Sequence, residues 1–177
     1  MGAIPNADIV DWLLVELRDA SDAVSAIPST IVEKQAVFLK KDGSIVGLNG
    51  TSMPIFNETI NQKLFVVIRH RNHLGIMSSN PLSEAASIFT YDFTTSESQA
   101  YGTGALKNLG GGIYGMLAGD ANADGTIDND DISGPWSSAA GESGYLNADV
   151  NMNGQADNKD KDDVWILNTG MNSQVPD

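Results

Sequence analysis

The sequence contains no cysteine. This absence excludes disulfide bonds, thiolate metal sites and a cysteine nucleophile. A protein that works outside the cell without disulfides needs other internal cross-links, and bound metal ions are one way to supply them. Any metal site in this chain must be built from ligands other than thiolates.

Basic residues are also scarce, because ten Lys and Arg stand against 23 Asp and Glu, which gives a net charge of −13. The imbalance is concentrated at one end, where residues 120–177 hold twelve acidic side chains and only two basic ones, Lys159 and Lys161. So dense a negative field repels nucleic acid and anionic membranes, and it attracts divalent cations. We therefore expect no nucleic-acid partner.

A long apolar run is missing as well. No stretch approaches the roughly 20 apolar residues that a membrane-spanning helix requires. The apolar segment from Ile9 to Leu17 is interrupted by Asp11 and Glu16, and no cationic stretch precedes it. This segment does not have the pattern of a secretory signal peptide, and we expect no membrane insertion.

Residues 1–118 have the pattern of a β-domain. Short runs rich in Val, Ile, Phe, Tyr and Trp alternate there with clusters of Gly, Pro, Asn, Asp and Ser, and no long stretch has convincing helical periodicity. About six to eight short strands at this spacing predict a mainly β fold, an antiparallel β-sandwich. The predicted strands cover residues 8–17, 30–39, 44–48, 63–71, 74–78, 87–93 and 113–118.

The C-terminal part contains an internal repeat with an offset of 29 residues. Its core is a twelve-residue loop that occurs twice, at Asp120–Asp131 and Asp149–Asp160, and each copy has a glycine at its sixth position. These two segments are called the first loop and the second loop below. The identities in this register include Asn122 with Asn151, Gly125 with Gly154, Asp128 with Asp157, and Trp136 with Trp165.

The loops carry oxygen ligands at the spacing that calcium uses. Calcium takes about six to eight oxygens, and a twelve-residue loop supplies them from positions 1, 3, 5, 7, 9 and 12, with glycine at position 6 for the sharp turn. In this sequence the ligand positions are Asp120, Asn122, Asp124, the carbonyl of Thr126, Asp128 and Asp131 in the first loop, and Asp149, Asn151, Asn153, the carbonyl of Gln155, Asp157 and Asp160 in the second.

We therefore predict two bound Ca2+ ions. A solvated cluster of acidic turns is the alternative interpretation, but two full matches, each with its glycine, favour calcium. The first loop offers four carboxylates and the second three, so we expect the first loop to bind more tightly. The predicted role of the ions is to stabilise the fold rather than to act as sensors or in catalysis.

The doubled pattern Asp-x-Asn-x-Asp/Asn-Gly-x-x-Asp-x-x-Asp, with a helix expected after each loop, resembles the dockerin type of calcium repeat. Dockerins keep the loop and the exiting helix, lack the entering helix, and dock onto cohesin modules. The resemblance implies tandem repeats over residues 119–170, after a β-domain of residues 1–118 and before a tail of residues 171–177. Gly134-Pro135 predicts that the helix after the first loop ends within about one turn.

A second resemblance covers nearly the whole chain. The segments IVDWLLVELRDA (9–20), FVVIRHRNHLGIMS (65–78), YDF (91–93) and NTGMNSQVPD (168–177) resemble the C-terminal region of large secreted surface proteins of Bacteroidota, in which a β-domain precedes dockerin-like repeats. The resemblance implies an extracellular or cell-surface location. In that family the β-domain continues upstream of the equivalent of Ile9, which implies that the sandwich in this chain is incomplete on its own.

Arg69, His70, Arg71 and His73 form the densest basic cluster in this acidic chain. Two interpretations remain open. The cluster is a ligand site, with histidines for a metal or arginines for a carboxylate or glycan, or it is structural, with arginines paired to acidic neighbours and histidines bonded to backbone. Strand alternation predicts that Arg69 and Arg71 face one side and His70 the other.

The sequence contains no convincing catalytic constellation, because no Gly-x-Ser-x-Gly elbow is present and the acidic pairs in the loops are accounted for as ligands. We predict a non-enzymatic, extracellular structural protein, a self-assembling surface or filament subunit whose copies join by strand addition. Residues 1–10 and 170–177 are the candidate donor segments. Two alternatives stay open: a dockerin-like anchoring module that binds a cohesin-like receptor, and a carbohydrate-binding sandwich that binds a glycan.

Overall fold

A computed structural model describes residues 4–177. Its largest element is a five-stranded antiparallel sheet with the strand order β3-β2-β1-β4-β5. The long first strand lies at the centre, where it pairs with β2 on one side and β4 on the other. The strands are β1 (Ile9–Ala20), β2 (Ile31–Lys40), β3 (Ile45–Val46), β4 (Lys63–Arg69) and β5 (Ile76–Met77).

Two separate hairpins follow the sheet. Strands β6 (Ser83–Ala85) and β7 (Ile88–Thr90) form the first, and β8 (Lys107–Gly110) and β9 (Ile113–Gly115) form the second. The mainly β, antiparallel character predicted from the sequence is confirmed. The strands are divided between one five-stranded sheet and two hairpins, so the two large facing sheets of the predicted sandwich are not formed within residues 4–177.

The main apolar core covers one face of the sheet. Leu13, Val15 and Leu17 lie on this face because alternate residues of a strand point to the same side. Tyr91 and Phe93 lie in the segment between the two hairpins, and their partly buried side chains pack against this core. The buried cluster also includes Val37, Leu64, Val66, Ile68, Ile76, Ala100, Ala105 and Leu106.

The opposite face combines a small apolar cluster with a buried ion pair. Glu16 and Arg18 are both fully buried, and the Arg18 guanidinium donates from Nε and Nη2 to Glu16 Oε1 at 2.8 and 2.6 Å. Burial acts to raise the pKa of Glu16, but contacts with Lys34 and Arg18 outweigh it and lower that pKa below its ordinary value. Arg18 Nη1 also donates to the carbonyls of Ala26 and Pro176, at 2.5 and 2.7 Å.

Short helical segments end both repeats. In the first repeat they are α1 (Asn129–Asp131), which forms the last three residues of the loop, a π-helical turn (Ile132–Trp136) and α2 (Ser137–Ala139). In the second repeat they are a π-helical turn (Asp160–Trp165), which begins at the last loop residue, and α3 (Ile166–Asn168). The prediction that Gly134-Pro135 ends the first helix is wrong, since Pro135 lies inside the π turn. A π turn has a wider hydrogen-bond register than the α-helix in which the proline ring clashes with the carbonyl four residues earlier.

Neither these segments nor any other helix in residues 4–177 is long and apolar enough to cross a membrane.

The buried ion pair generates a testable prediction. Replacing Arg18 by Met leaves Glu16 buried with only the partly exposed Lys34 and Arg69 as counter-charges, so we expect the free energy of unfolding to fall by about 3 kcal/mol. The double variant Glu16→Leu with Arg18→Met removes the uncompensated charge and is expected to recover most of that loss. Urea denaturation of both variants measures the difference, and a single variant as stable as the parent would contradict it.

Candidate metal centre

The two loops follow the same backbone path. Gly125 and Gly154, at position 6, have φ values of +89° and +91°. Ala123 and Met152, at position 4, have φ values of +59° and +61°, a left-handed conformation that residues other than glycine seldom adopt. Because the uncommon conformation recurs at equivalent non-glycine residues, the two copies share one loop geometry as well as one sequence pattern.

The carboxylate at position 1 organises the first half of each loop. Asp120 is 4 % exposed and accepts hydrogen bonds from two backbone amides, Asp124 N at 3.0 Å and Gly125 N at 3.1 Å. The second loop repeats these bonds in the same register. There Asp149 accepts from Asn153 N and Gly154 N, both at 2.9 Å.

The carboxylate at position 12 ties the end of each loop to its beginning. Asp131 is 1 % exposed and accepts from Asn122 N at 3.2 Å and from Asp128 N at 2.8 Å. Asp128 also caps α1, because its side chain accepts from Asp130 N at 2.8 Å. In the second loop Asp160 accepts in the same way from Asn151 N at 3.0 Å and Asp157 N at 2.8 Å.

Electrostatic repulsion acts on the buried carboxylates of the first loop. Burial and the charges of Asp131 and Asp124 raise the pKa of Asp120 to about 6, although hydrogen bonds from the Gly125 and Asp124 amides act against the rise. Burial, with the charge of Asp124, also raises the pKa of Asp131. No Lys or Arg within the described residues forms an ion pair with a carboxylate at a ligand position of either loop.

The donor set suits a hard cation by its chemistry, since it consists of carboxylate, amide and carbonyl oxygens. In the structure the side-chain oxygens at positions 1, 3, 5, 9 and 12 of both loops accept from backbone amides. Among residues 4–177 no three His, Asp or Glu side chains stand together as a metal-ligand group.

The two tryptophans of the repeat cross-link the loops. Trp136 Nε1 donates to the carbonyl of Asp157 at 3.1 Å, and Trp165 Nε1 donates to the carbonyl of Asp128 at 3.0 Å. Each ring thus holds position 9 of the opposite loop. Both rings also line a small apolar cavity between the repeats, together with Gly119, Ala121, Ile132, Ala148 and Val150.

Backbone hydrogen bonds cross between the repeats in the same manner. In the first loop Ile127 N donates to Met171 O at 2.9 Å, and Ser173 N donates to Gly125 O at 2.8 Å. In the second loop the corresponding bonds are Ala156 N to Glu142 O and Gly144 N to Gly154 O, both at 2.9 Å. Each loop is therefore paired with the segment that follows the other repeat, so residues 120–173 form one interlocked unit.

The structure brings the basic cluster onto a buried acid that sequence analysis did not single out. Asp11 is 5 % exposed and accepts from His70 Nε2 at 3.0 Å, Arg71 Nε at 3.2 Å and the Tyr145 hydroxyl at 2.5 Å. The prediction that His70 and Arg71 face opposite sides is wrong, because β4 ends at Arg69 and strand alternation stops there. Arg69 separately pairs with Glu16 at 3.6 Å.

The contacts shift two ionisation equilibria. Burial acts to raise the pKa of Asp11, but hydrogen bonds from His70, Tyr145 and the Trp12 amide hold it far below its ordinary value. Burial and the neighbouring Asp11 carboxylate raise the pKa of Tyr145 to about 12. The signal that could have found Asp11 lay in the sequence, since a charged residue inside an apolar strand requires a partner.

A chain of side chains continues from this cluster to the second loop. Asn72 is fully buried, and its Nδ2 donates to the carbonyls of Asn147 and Asp149 at 2.9 and 2.8 Å. Asn72 Oδ1 lies 2.8 Å from His73 Nδ1. Because an amide oxygen can only accept a hydrogen bond, this contact assigns the proton to Nδ1 of His73. His73 Nδ1 also lies 2.9 Å from His70 Nδ1, so His70 accepts at Nδ1 and donates from Nε2 to Asp11.

The basic cluster and the first loop also share a cleft of about 410 Å³. Its walls include Arg69, His70 and His73 on one side and Asp120, Ala123, Asp124, Gly125 and Thr126 on the other. Arg71 lies outside this cleft and points instead to the carbonyl of Leu146 and the ring of Tyr145.

Comparison of the chain with known protein families, with curated proteins and with solved structures finds no match.

The half-buried His73 generates a pH prediction. Burial and the nearby His70 and Arg71 lower the pKa of His73 to about 3, below its unfolded value of about 6.5. Because the folded-state pKa is depressed, the unfolded chain binds the proton at a higher pH than the folded chain does. The contribution of neutral His73 to the free energy of unfolding is therefore fully present above about pH 6.5 and is lost as the pH falls toward 3. We expect the stability of the parent to fall more steeply than that of His73→Gln between pH 6.5 and 5. Parallel slopes in denaturant titrations would contradict this.

Proposed function

We propose that this protein is a non-enzymatic, calcium-stabilised extracellular structural protein that assembles with copies of itself by strand addition. The calcium part rests on the doubled loop with its buried, mutually repelling carboxylates. The assembly part rests on a sheet with one unpaired edge. Each part has its own experiment.

Calcium fits the loops by charge as well as by ligand type. Asp120, Asp124, Asp128 and Asp131 would hold one ion with Asn122 and the Thr126 carbonyl, and the equivalent residues of the second loop, Asp149 to Asp160, would hold the other. When bound, the ion neutralises carboxylates that are now buried near one another. Because the interlocked unit presents both loops only when folded, binding would stabilise the fold by linkage.

Calcium titration of matched loop variants tests this part. We expect two binding events in the parent, with the tighter one lost in Asp131→Asn and the weaker one lost in the equivalent variant Asp160→Asn. Calcium at about 100 times its Kd should stabilise the parent by about 2.7 kcal/mol per site, measured by thermal unfolding in calcium and in chelator. Titration heats at dilution level, with equal melting in both buffers, would reject calcium binding.

The five-stranded sheet has one covered edge and one open edge. On the β5 side, backbone bonds join Ser79 N to Gln99 O at 2.9 Å and Tyr101 N to Met77 O at 2.8 Å, so the chain itself covers that edge. On the other side β3 pairs with β2 only at Phe38 and Leu39. Within residues 4–177 no strand pairs with the outer side of residues 31–37, a length of about 23 Å.

Side chains on this strand also have unused bonding capacity. Glu33 Oε2 and Gln35 Oε1 are buried acceptor atoms that have no hydrogen-bond partner within the described part of the chain. An added strand that carries donor side chains would satisfy them. Of the two predicted donor segments, residues 170–177 are bound to their own chain, and Ile9 and Val10 belong to β1. The proposed donor is the part of residues 1–10 that precedes β1, and its donation would break the bonds from Asn6 Nδ2 to Gly50 O and from Lys41 N to Asp8 O, both at 2.9 Å.

A proline placed on the open edge tests the assembly part. Lys40 N donates to Ser44 O on the β3 side, so by alternation the Ala36 amide also faces outward. Proline is tolerated where a strand amide faces solvent, but it removes the donor that an added strand would use. We expect filaments of the parent in millimolar calcium by negative-stain electron microscopy, and single particles for Ala36→Pro.

Thr95→Pro, in an exposed loop outside every strand, serves as the control and should assemble like the parent. Thermal unfolding must show that Ala36→Pro remains folded. Single particles of the parent in both calcium and chelator would reject self-assembly.

One observation supports the dockerin-like anchoring module as a second candidate. Ile166 and Leu167 of α3 are 57 % and 69 % exposed, as expected for residues that contact a receptor. The equivalent residues of the first repeat are Ser137 and Ser138, so only one repeat presents an apolar pair. A parent that remains monomeric in both buffers, with Ile166→Ser reducing receptor capture, would favour this candidate.

A further inference from the structure

The C-terminal residues 172–177, here called the strap, extend from the first loop to the central strand of the sheet. The strap begins as a backbone partner of the loop, because Asn172 forms a β-bridge with Thr126 and Ser173 N donates to Gly125 O at 2.8 Å. The first loop cannot change its backbone path at these positions without moving the start of the strap.

The far end of the strap is buried against the sheet. Val175 is 8 % exposed and packs in the apolar cluster of Phe65, Val67 and Met77. One residue later, the Pro176 carbonyl accepts from Arg18 Nη1 at 2.7 Å. The strap thus completes both the apolar cluster and the hydrogen bonding of a fully buried arginine.

Two contacts hold the middle of the strap. Ser173 Oγ donates to Gly75 O at 2.9 Å. Gln174 passes so close to Gly102 that a Cβ added to this glycine would lie 2.5 Å from Gln174 Cβ. With both ends and the middle fixed, the strap has no slack between the loop and the sheet.

Beside the second loop, the segment that corresponds to the strap is residues 143–148, and it is attached by polar contacts: Tyr145 donates to Asp11, and the Asn147 carbonyl accepts from Asn72. The residue 29 positions before Val175 is Leu146, which belongs to none of the buried apolar clusters. Its carbonyl accepts a hydrogen bond from the Arg71 side chain. The apolar anchor at Val175 is therefore a feature of the strap beside the first loop alone, although the loops themselves are alike.

We propose that the strap couples the first loop to the buried face of the sheet, so that ordering the loop closes the strap over Phe65, Val67 and Met77. The inference rests on the proposed function only in naming calcium as the ion that orders the loop. Coupling of this kind is reciprocal, so docking of the strap also favours the ordered loop. A strap that is weakened at its far end must loosen the loop at its near end.

Hydrogen exchange on the full chain tests the coupling with matched valines. Val175→Ser weakens the strap in its apolar cluster, whereas Val24→Ser changes a valine that is 69 % exposed. We expect the amides of residues 125–127 to exchange about tenfold faster in Val175→Ser, in chelator as well as in calcium, with residues 154–156 within about twofold of the parent. Val24→Ser should match the parent throughout.

The outcomes separate the two proposals. Equal exchange of residues 125–127 in Val175→Ser and the parent overturns the coupling. If both loops of the parent exchange equally fast in calcium and in chelator, calcium binding is rejected. The coupling is then decided by comparing Val175→Ser with the parent in chelator. Should Val175→Ser unfold globally, Ser173→Ala serves instead, because it removes the bond to Gly75 O and the longer one from Val175 N at 3.4 Å. This variant must still raise exchange at residues 125–127 selectively, and no such effect would also overturn the coupling.

Discussion

Burial of like charges at the ends of the two loops is the constraint on which the rest of the C-terminal half depends. Asp120, Asp131, Asp149 and Asp160 are each at most 4 % exposed, although an unpaired buried carboxylate is costly. Backbone amides supply one compensation, since every one of these carboxylates accepts at least two of them. Amides alone leave the pKa of Asp120 raised to about 6, so compensation in the first loop is incomplete without a further positive charge.

The interlocked pairing explains how so small a unit forms without long helices. Each loop has a backbone partner from the other repeat and a tryptophan from the other repeat on its position 9 carbonyl. Neither loop can therefore be completed alone, and the two are expected to form together. The π-helical turns bring both tryptophans to the cavity between the repeats, and a π turn occurs in the second repeat without any proline. Pro135 is thus accommodated by this geometry rather than being its cause.

The sequence predicted those strands and loops that are determined by residues close together in the chain. The apolar runs identified β1, β2 and β4 to within a few residues, and the repeat register identified equivalent loop positions that share one backbone geometry. The turn at Ala86 and Ser87 was missed because neither residue has glycine's preference for the positive φ that both adopt. Asp11 with Tyr145 and Arg18 with Pro176 could not be predicted either, because these contacts join residues 134 and 158 positions apart.

Those two distant contacts give β1 its place in the architecture. Near one end of the strand, Asp11 binds Tyr145, which lies just before the second loop in the sequence. Near the other end, Arg18 binds Pro176 of the strap, which is paired with the first loop. Asp11 and Arg18 are therefore the two points of β1 from which the C-terminal half is held, and Glu16 accepts two hydrogen bonds from the Arg18 guanidinium. Because β1 is both the centre of the sheet and the anchor of both loops, sheet and loops depend on each other. Contacts between residues so far apart in the chain slow folding, because the entropy cost of closing the long loop comes before the contacts can form.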